Sequence, residues 1–238
     1  MVSAKTLVVS ALAVTLCSCS ALPSVTGLRK RITNSGSGID SDGFYWNLWT
    51  DGTKGLNYEN GPDGSYTATW GNGTQNFIGG KGWNPGTRDR NITYSAADFK
   101  TSGNAYLCIY GWAINDPGVD VEYYVVEWFG SYDPTGAFLS NNASRKVTIE
   151  DTENGGTYAI GRYRYVGMGF PSPLIKDTVY SVRERKDRRT AGTVNMKLHF
   201  DAWEQKLGIK FGKLDFQIVA TEAYMSAGEA RVKVEKES

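Results

Sequence analysis

Short apolar runs separated by turn residues recur along most of this chain, and they limit its fold more than any other feature. The runs are rich in β-branched and aromatic residues, which favour strands. Turn signals such as Asp51-Gly52 and Asn115-Asp116-Pro117-Gly118 separate them. Many short strands joined by tight turns predict an antiparallel β-sandwich. We predict strands over residues 43–50, 56–58, 65–70, 75–79, 92–97, 105–112, 121–128, 145–150, 156–165, 178–185, 214–224 and 230–235, after a flexible Gly/Ser/Asp-rich lead-in at 32–42.

One segment has a different period. Between residues 193 and 207 the apolar side chains are spaced by four, three and four, at Met196, Phe200, Trp203 and Leu207. This spacing places them along one stripe of a helix, and Gly208 is a typical residue to end it. We therefore predict one α-helix that packs on the back of a sheet; a helix that binds a partner is the alternative.

The first 31 residues have the layout of a targeting region. Residues 1–21 combine an early Lys5, an apolar stretch and small residues, which is typical of a secretory signal peptide. That stretch is too short to span a bilayer. Residues 22–31 end in Lys30-Arg31, which is either a propeptide cleavage site or a solvated basic patch. We predict a secreted protein, without membrane attachment in its mature form, whose residues 32–238 form a single domain.

Composition limits the partners. The formal net charge of +1 gives no support for nucleic-acid binding. One His and three Cys in 238 residues argue against a metal centre. We expect no metal and no cofactor, and we expect the chain to act as a monomer.

Two predicted strands each carry a glutamate in an apolar context. They read VEYYVVEWF at 121–129 and DFQIVATEAY at 215–224. Because strand side chains alternate between faces, Glu122 shares a face with Tyr124, and Glu222 shares one with Tyr224. Burying an unpaired carboxylate is costly, so a mid-strand Glu points to function more strongly than a mid-strand aromatic does. Two such faces around one cleft suit acid–base chemistry on a sugar.

Aromatic side chains at alternating positions support a carbohydrate site. Tyr45 shares a strand face with Trp49, and Tyr106 shares one with Tyr110. Aromatic rings stack on sugar faces, but they also fill sandwich cores, and for any single ring both interpretations stay open.

At the level of motifs, the chain resembles glycoside hydrolase family 11, the small secreted endo-1,4-β-xylanases. The segments VEYYVVEWFGSYDP and VATEAYMSAG resemble that family's two active-site segments. Five further segments stand in the family's order: GFYWNLWTDG, NFIGGKGWNPGT, AYLCIYGW, YSVRERKDRRTAGTVNMKLHFDAW and LDFQIVATEAY. The resemblance implies an all-β jelly roll of two curved antiparallel sheets with one helix on the back, and xylan or xylo-oligosaccharides bound in its groove.

The resemblance also implies residue roles. Glu122 corresponds to the nucleophile, and Glu222 corresponds to the general acid/base of a retaining enzyme that cleaves internal β-1,4-xylosidic bonds. Asn76 corresponds to the residue beside the acid/base, where Asn is typical of members active near neutral pH. The predicted substrate-binding residues are Trp49, Asn76, Tyr106, Tyr110, Tyr124, Pro171, Phe216 and Tyr224.

Several positions depart from the family pattern. Asp120 lies on the strand face of Glu122 and would add negative charge there if close. Phe216 replaces a common groove tyrosine, Thr178 stands where Gln is common, and Tyr180 replaces a Trp. The thumb hairpin, residues 165–175, is altered and longer. These changes keep two alternatives open: a xylan-binding jelly roll with little or no catalysis, and a related endo-β-1,4-glucanase.

Two further residues near these motifs are predicted to be structural. Glu127 lies on the strand face opposite to that of Tyr124. Cys108, between Tyr106 and Tyr110, is predicted to be a small packing residue rather than a reactive thiol.

Overall fold

Two β-sheets, with one long helix packed on the larger sheet, form most of the described part of the structure, which is a computed structural model. It describes residues 31–236 apart from 53, 72, 140–146 and 168–173. The predicted signal peptide, residues 1–21, and residues 22–30 of the predicted linker lie outside the described residues, as does the centre of the thumb hairpin. None of the helices within the described part has the length and apolarity needed to cross a membrane.

The strands divide between the sheets as follows. The six-stranded sheet has the order β1 (Arg31–Ile32), β4 (Asn57–Asn60), β5 (Ser65–Trp70), β15 (Gly228–Val234), β7 (Asn91–Thr101) and β13 (Ala191–Asn195). The nine-stranded sheet has the order β10 (Val147–Glu150), β11 (Thr157–Gly167), β12 (Leu174–Arg183), β9 (Asp120–Phe129), β8 (Asn104–Ile114), β14 (Lys213–Tyr224), β6 (Asn76–Trp83), β3 (Tyr45–Thr50) and β2 (Gly36–Ile39). Neighbouring strands are antiparallel except β9 and β12, which are parallel.

The prediction of a flexible lead-in at residues 32–42 was wrong. Gly36–Ile39 forms β2 and pairs with β3. A Cβ on Gly38 would lie 3.1 Å from Nε1 of Trp46, so glycine is the residue that fits beneath this ring. Gly36 and Gly38 therefore leave room for the ring of Trp46 to lie over β2, which is an edge strand of the sheet. Other short elements that were not predicted are β1, β13, the helix α1 (Thr135–Leu139) and the 3₁₀ helix Arg185–Asp187.

Strand alternation separates the core of the protein from the opposite face of the nine-stranded sheet. On β9, Val121, Tyr123 and Val125 belong to the large core cluster and are at most 1% exposed. Tyr124 belongs to a second cluster on the other face of the sheet, and Glu122 lies on that same face. The large cluster includes residues of both sheets, which places the main core between them.

The predicted helix is confirmed as α2 (Met196–Leu207). The side chain of Asn195 caps its first turn by accepting from the Leu198 amide, and Gly208 ends it in the left-handed region at φ 67°. Phe200 lies against Tyr123 of β9 with ring centroids 5.2 Å apart. The helix therefore packs on the face of the nine-stranded sheet opposite to Glu122, as predicted.

His199 of α2 makes stability depend on pH. It is fully buried, and neither ring nitrogen has a hydrogen-bond partner among the described residues. Burial lowers its pKa to about 3; Arg183 and Arg189 add to this effect, and Asp151 opposes it. Between about pH 6.5 and pH 3 the unfolded chain therefore binds a proton that the folded protein does not bind. We expect this histidine to reduce the free energy of unfolding by about 1.4 kcal/mol per pH unit as pH falls through that window.

Urea unfolding of the wild type and of His199→Phe at pH 7 and pH 4 tests this prediction. The chain has one His, so the substitution removes every histidine titration. The phenyl ring keeps an aromatic group between Tyr158 and Trp203. When the pH is lowered from 7 to 4, the free energy of unfolding should fall less in His199→Phe than in the wild type. An equal stability difference at the two pH values would contradict the prediction.

Candidate active site

A cavity of about 510 Å³ lies on the face of the nine-stranded sheet that is turned away from α2. Six strands of that sheet contribute to it: β3, β6, β8, β9, β12 and β14. It is lined by Asn47, Trp49, Asn76, Ile78, Tyr110, Trp112, Glu122, Tyr124, Lys176, Phe216 and Glu222. The cavity therefore brings together the two glutamates that the sequence analysis singled out.

Glu122 is held by four hydrogen-bond donors. Its Oε1 accepts from the hydroxyls of Tyr110 at 3.0 Å and Tyr124 at 3.3 Å. Its Oε2 accepts from the ammonium of Lys176 at 2.6 Å and from the hydroxyl of Thr178 at 3.1 Å. The residue is 7% exposed. Both oxygens are thus fixed in direction while the carboxylate still faces the cavity.

A second layer of contacts fixes these donors. The indole Nε1 of Trp112 donates to the Tyr110 hydroxyl at 2.7 Å, which leaves the tyrosine proton free to point at Glu122. Tyr124 stacks on Tyr180, with ring centroids 5.0 Å apart and planes at 17°. Tyr180, which replaces the family's Trp, therefore still supplies an aromatic surface behind the tyrosine.

Glu222 has a different environment from Glu122. Burial, and then the nearby charge of Glu122, raise the pKa of Glu222 to about 8, whereas Lys176 and a hydrogen bond with Tyr124 act to lower it. Glu222 therefore carries a proton at neutral pH. The hydroxyl of Tyr124 donates to Glu122, so one tyrosine both binds that carboxylate and influences the pKa of Glu222. The site pairs a protonated carboxyl with one whose oxygens only accept hydrogen bonds.

A bend in the sheet brings the two carboxyl groups together. On β8, which lies between their strands, Glu222 is opposite Tyr106 and Glu122 is opposite Trp112. These positions are 112 − 106 = 6 residues apart, which corresponds to about 20 Å along a straight strand. The β8–β9 register shifts between Leu107 and Cys108, and such bulges bend strands. Only a strongly bent sheet allows both glutamates to line one cavity.

The predicted substrate-binding residues divide into three groups. Trp49, Asn76, Tyr110, Tyr124 and Phe216 line the cavity with the glutamates. Tyr106 is buried beside it, and Tyr224 is 50% exposed on the strand of Glu222. Pro171 lies outside the described residues.

Two lining residues offer surfaces for a ligand. Trp49 is 47% exposed, so the face of its indole is open for stacking. The side-chain oxygen of Asn76 is buried and has no hydrogen-bond partner among the described residues. This acceptor lies at the wall of the cavity.

Sequence reasoning did not assign four of the lining residues to the site: Asn47, Ile78, Trp112 and Lys176. Lys176 lies opposite Asp120 in the parallel pairing of β12 with β9 and reaches Glu122 two positions further along. Asp120 itself accepts from the Asn115 amide at 2.9 Å and lines an extension of the cavity with Lys176. The negative charge expected beside Glu122 is thus accompanied by a positive one.

Cys108 and Glu127 occupy the places predicted for them. Cys108 is 1% exposed and packed among the cavity-side aromatics. Burial raises the pKa of its thiol well above the usual value, as does the negative charge of the two cavity glutamates, so the thiol is unreactive. Glu127 is fully buried on the core face, where Arg189, Tyr94 and Tyr158 bind it.

The family model described as "Glycosyl hydrolases family 11" matches residues 41–233. The chain belongs to glycosyl hydrolase family 11. The match covers every strand of the cavity, and family membership agrees with the predicted jelly roll of two sheets with a helix behind. The prediction of a glycoside hydrolase is therefore confirmed.

Curated relatives extend the family 11 match over most of the chain. An "Endo-1,4-beta-xylanase 4" of Pyricularia oryzae is 42% identical over 251 residues, covering 99% of this chain and 100% of that protein. An "Endo-1,4-beta-xylanase I" of Cochliobolus carbonum is 41% identical over 98% of this chain and 99% of its own length. An "Endo-1,4-beta-xylanase A" of Schizophyllum commune is 42% identical over 85% of this chain and 98% of its own length.

Proposed function

We propose that this protein is an endo-1,4-β-xylanase that cleaves internal bonds of xylan with retention of anomeric configuration. The observation that carries the proposal is the unequal pair of carboxyl groups in one cavity. Glu222 holds a proton at neutral pH, and Glu122 presents a carboxylate oriented by four donors. The names of the relatives support xylan as the substrate.

The proposed reaction has two displacements. Glu122 attacks the anomeric carbon while Glu222 gives its proton to the departing sugar oxygen, and a glycosyl ester forms on Glu122. The ester is neutral, so the charge that raised the pKa of Glu222 disappears with it. Glu222 then takes a proton from water as the water oxygen attacks the anomeric carbon. The bond between that carbon and Glu122 breaks, which releases the second product and restores the Glu122 carboxylate.

The remaining cavity residues would bind the sugar chain. Trp49 offers a half-exposed indole for a xylose face, and Asn76 offers a buried oxygen for a hydroxyl donor. Phe216 is in contact with Tyr110, with ring centroids 5.7 Å apart, and supplies an apolar wall without a hydroxyl. The exposed Tyr224 would extend this surface, and we propose Pro171 as a further substrate-binding residue.

We further propose that the protein is secreted and monomeric. Residues 1–21 would direct export and be removed, and residues 32–238 would form the catalytic domain. The sequence pattern at the start of the chain supports export.

A digest of xylohexaose followed by proton NMR tests the proposed function. We expect internal cleavage and β-configured new reducing ends in the first spectra, before mutarotation. Immediate α-configured ends would contradict retention. Parallel reducing-sugar assays on xylan and carboxymethylcellulose distinguish the alternatives: release from cellulose alone would indicate an endoglucanase. Retention of the protein in a xylan affinity gel without any product would indicate a binding protein.

A further inference from the structure

Lys176 places a positive charge directly on the carboxylate of Glu122. Its ammonium lies 2.6 Å from Oε2 and 5.0 Å from the centroid of the Trp112 ring. The side chain is 27% exposed, so solvent screens this ion pair only in part. The ammonium group therefore contacts Glu122 and Trp112, and Asp120 is the strand neighbour of Lys176 on β9.

The backbone that carries Lys176 is anchored from the other side of the sheet. Asp177, the next residue, points to the opposite face and is 5% exposed. Arg162 and Arg164 of β11 each bind its carboxylate through two nitrogens, at distances between 2.8 and 3.0 Å. Fixing Asp177 fixes the orientation of β12 and, with it, the side chains of Lys176 and Thr178 toward Glu122.

The charges in the cavity can be followed through the proposed reaction, on which this inference rests. In the free protein the groups are an ionised Glu122, a protonated Glu222 and a cationic Lys176. Attack by Glu122 forms its bond to the anomeric carbon, the glycosidic bond breaks, and the proton of Glu222 goes to the leaving oxygen. The groups are then a neutral ester, an ionised Glu222 and the same cation. One of the two glutamates is therefore negatively charged before and after the attack, and Lys176 provides the positive charge beside it in both states.

We propose that Lys176 is a positioning residue that orients Oε2 of Glu122 for attack and keeps the cavity charge-balanced when the negative charge moves to Glu222. It acts through the two glutamates and makes no bond to the substrate in this role. Other groups that face it are Asp120 on β9, Tyr110 on β8, and Tyr163 and Tyr165 on β11. Asp120 takes no part in the transfer of charge between the two glutamates.

The test combines an equilibrium titration with kinetics. Carbon-13 NMR of glutamate carboxyl groups, with Glu222→Gln used to assign the signal, gives the pKa of Glu222 without turnover. Removing the cation in Lys176→Met should raise that pKa by about one pH unit, the effect expected for charges roughly 10 Å apart at an effective dielectric constant near 20. The kcat for xylan should fall at least about tenfold with little change in KM.

Two further variants complete the design. Lys176→Arg keeps the charge and should return the Glu222 titration to the wild-type position. Lys213→Met removes one positive charge from an exposed site at the start of β14 and should change neither quantity. Identical Glu222 titrations in the wild type and Lys176→Met, or an unchanged kcat, would overturn the inference. A wild type that does not cleave xylan, but whose Glu222 titration still depends on Lys176, would instead overturn the proposed function.

Discussion

Replacing Glu122 with Gln should lower kcat for xylan at least about 10³-fold while the protein stays folded. An amide cannot form the glycosyl ester, so the first displacement is lost. Gln has nearly the shape of Glu and keeps one carbonyl oxygen, so two of the four donors retain an acceptor while the other two face the amide NH2 group at the wall of the cavity. Activity assays and thermal melts on the same preparation measure both quantities. Retention of more than a tenth of wild-type kcat would contradict the nucleophile role.

Glu222→Gln distinguishes the second role. This variant should also lose activity on xylan, because the departing sugar receives no proton. An aryl xylobioside with an acidic phenol as leaving group needs no such proton, so its first step should survive. Added azide should then attack the glycosyl ester without a general base and restore turnover in Glu222→Gln but not in Glu122→Gln. Restoration in the opposite pattern would reverse the assignment of the two glutamates.

The control for both variants is Glu150→Gln, which changes an exposed glutamate on the edge strand β10. It removes one negative charge from the nine-stranded sheet, in which four strands separate β10 from β14. We expect wild-type kcat, KM and melting temperature. Any loss of activity in this control would show that net charge, rather than the cavity geometry, accounts for the effects.

Glu127→Gln should have the opposite phenotype, with a large loss of stability and a nearly unchanged kcat at low temperature. Glu127 lies on the same strand as Glu122 but on its core face, with no exposed surface. Arg189 forms an ion pair with it, Arg183 lies 3.9 Å away, and Tyr158 donates to it at 2.6 Å. Removing one partner of a buried ion pair typically costs about 3–5 kcal/mol, because the remaining charge stays buried.

For a domain of about 200 residues that loss corresponds to a melting temperature lower by roughly 10 °C. Thermal unfolding measures it, and the exposed Glu150→Gln again serves as the matched control. The double variant Glu127→Gln/Arg189→Met should be less destabilised than the sum of the single changes, since it removes both charges. A decrease of less than about 2 °C in Glu127→Gln would show that the buried network contributes little.

The features predicted correctly from the sequence are those that depend on the pattern of residues within one strand or one helix. Period-two alternation placed Glu122 and Tyr124 on one face and Glu127 on the other, because a strand's faces follow from its own residues. The stripe of apolar residues predicted α2 in the same way, and the structure begins the helix at Met196. The faces of β9 and the position of α2 can therefore be predicted without knowing which elements they pack against.

The residues that were missed depend on pairing between distant strands. Lys176 reaches Glu122 because β12 lies parallel to β9 with Thr178 opposite Glu122. Nothing local to residues 174–183 specifies that neighbour or its direction, and the predicted strand began only at Thr178. Once Thr178 is assigned to the face of Glu122, the same alternation places Lys176 there too. The strand Gly36–Ile39 was missed for a related reason, since the ring of Trp46 that covers it is supplied by another strand.

The bulge between Leu107 and Cys108 has a consequence for how such a protein can diversify. The spacing of the two glutamates is a property of backbone curvature in mid-sheet, so insertions in the surrounding hairpins leave it unchanged. Deleting a single residue from β8, by contrast, would turn Tyr110 and Trp112 into the core and bring apolar side chains to the cavity. Changes in reactivity must then come from substitutions on flanking strands that preserve length. Lys176 and Thr178 on β12 are positions of that kind.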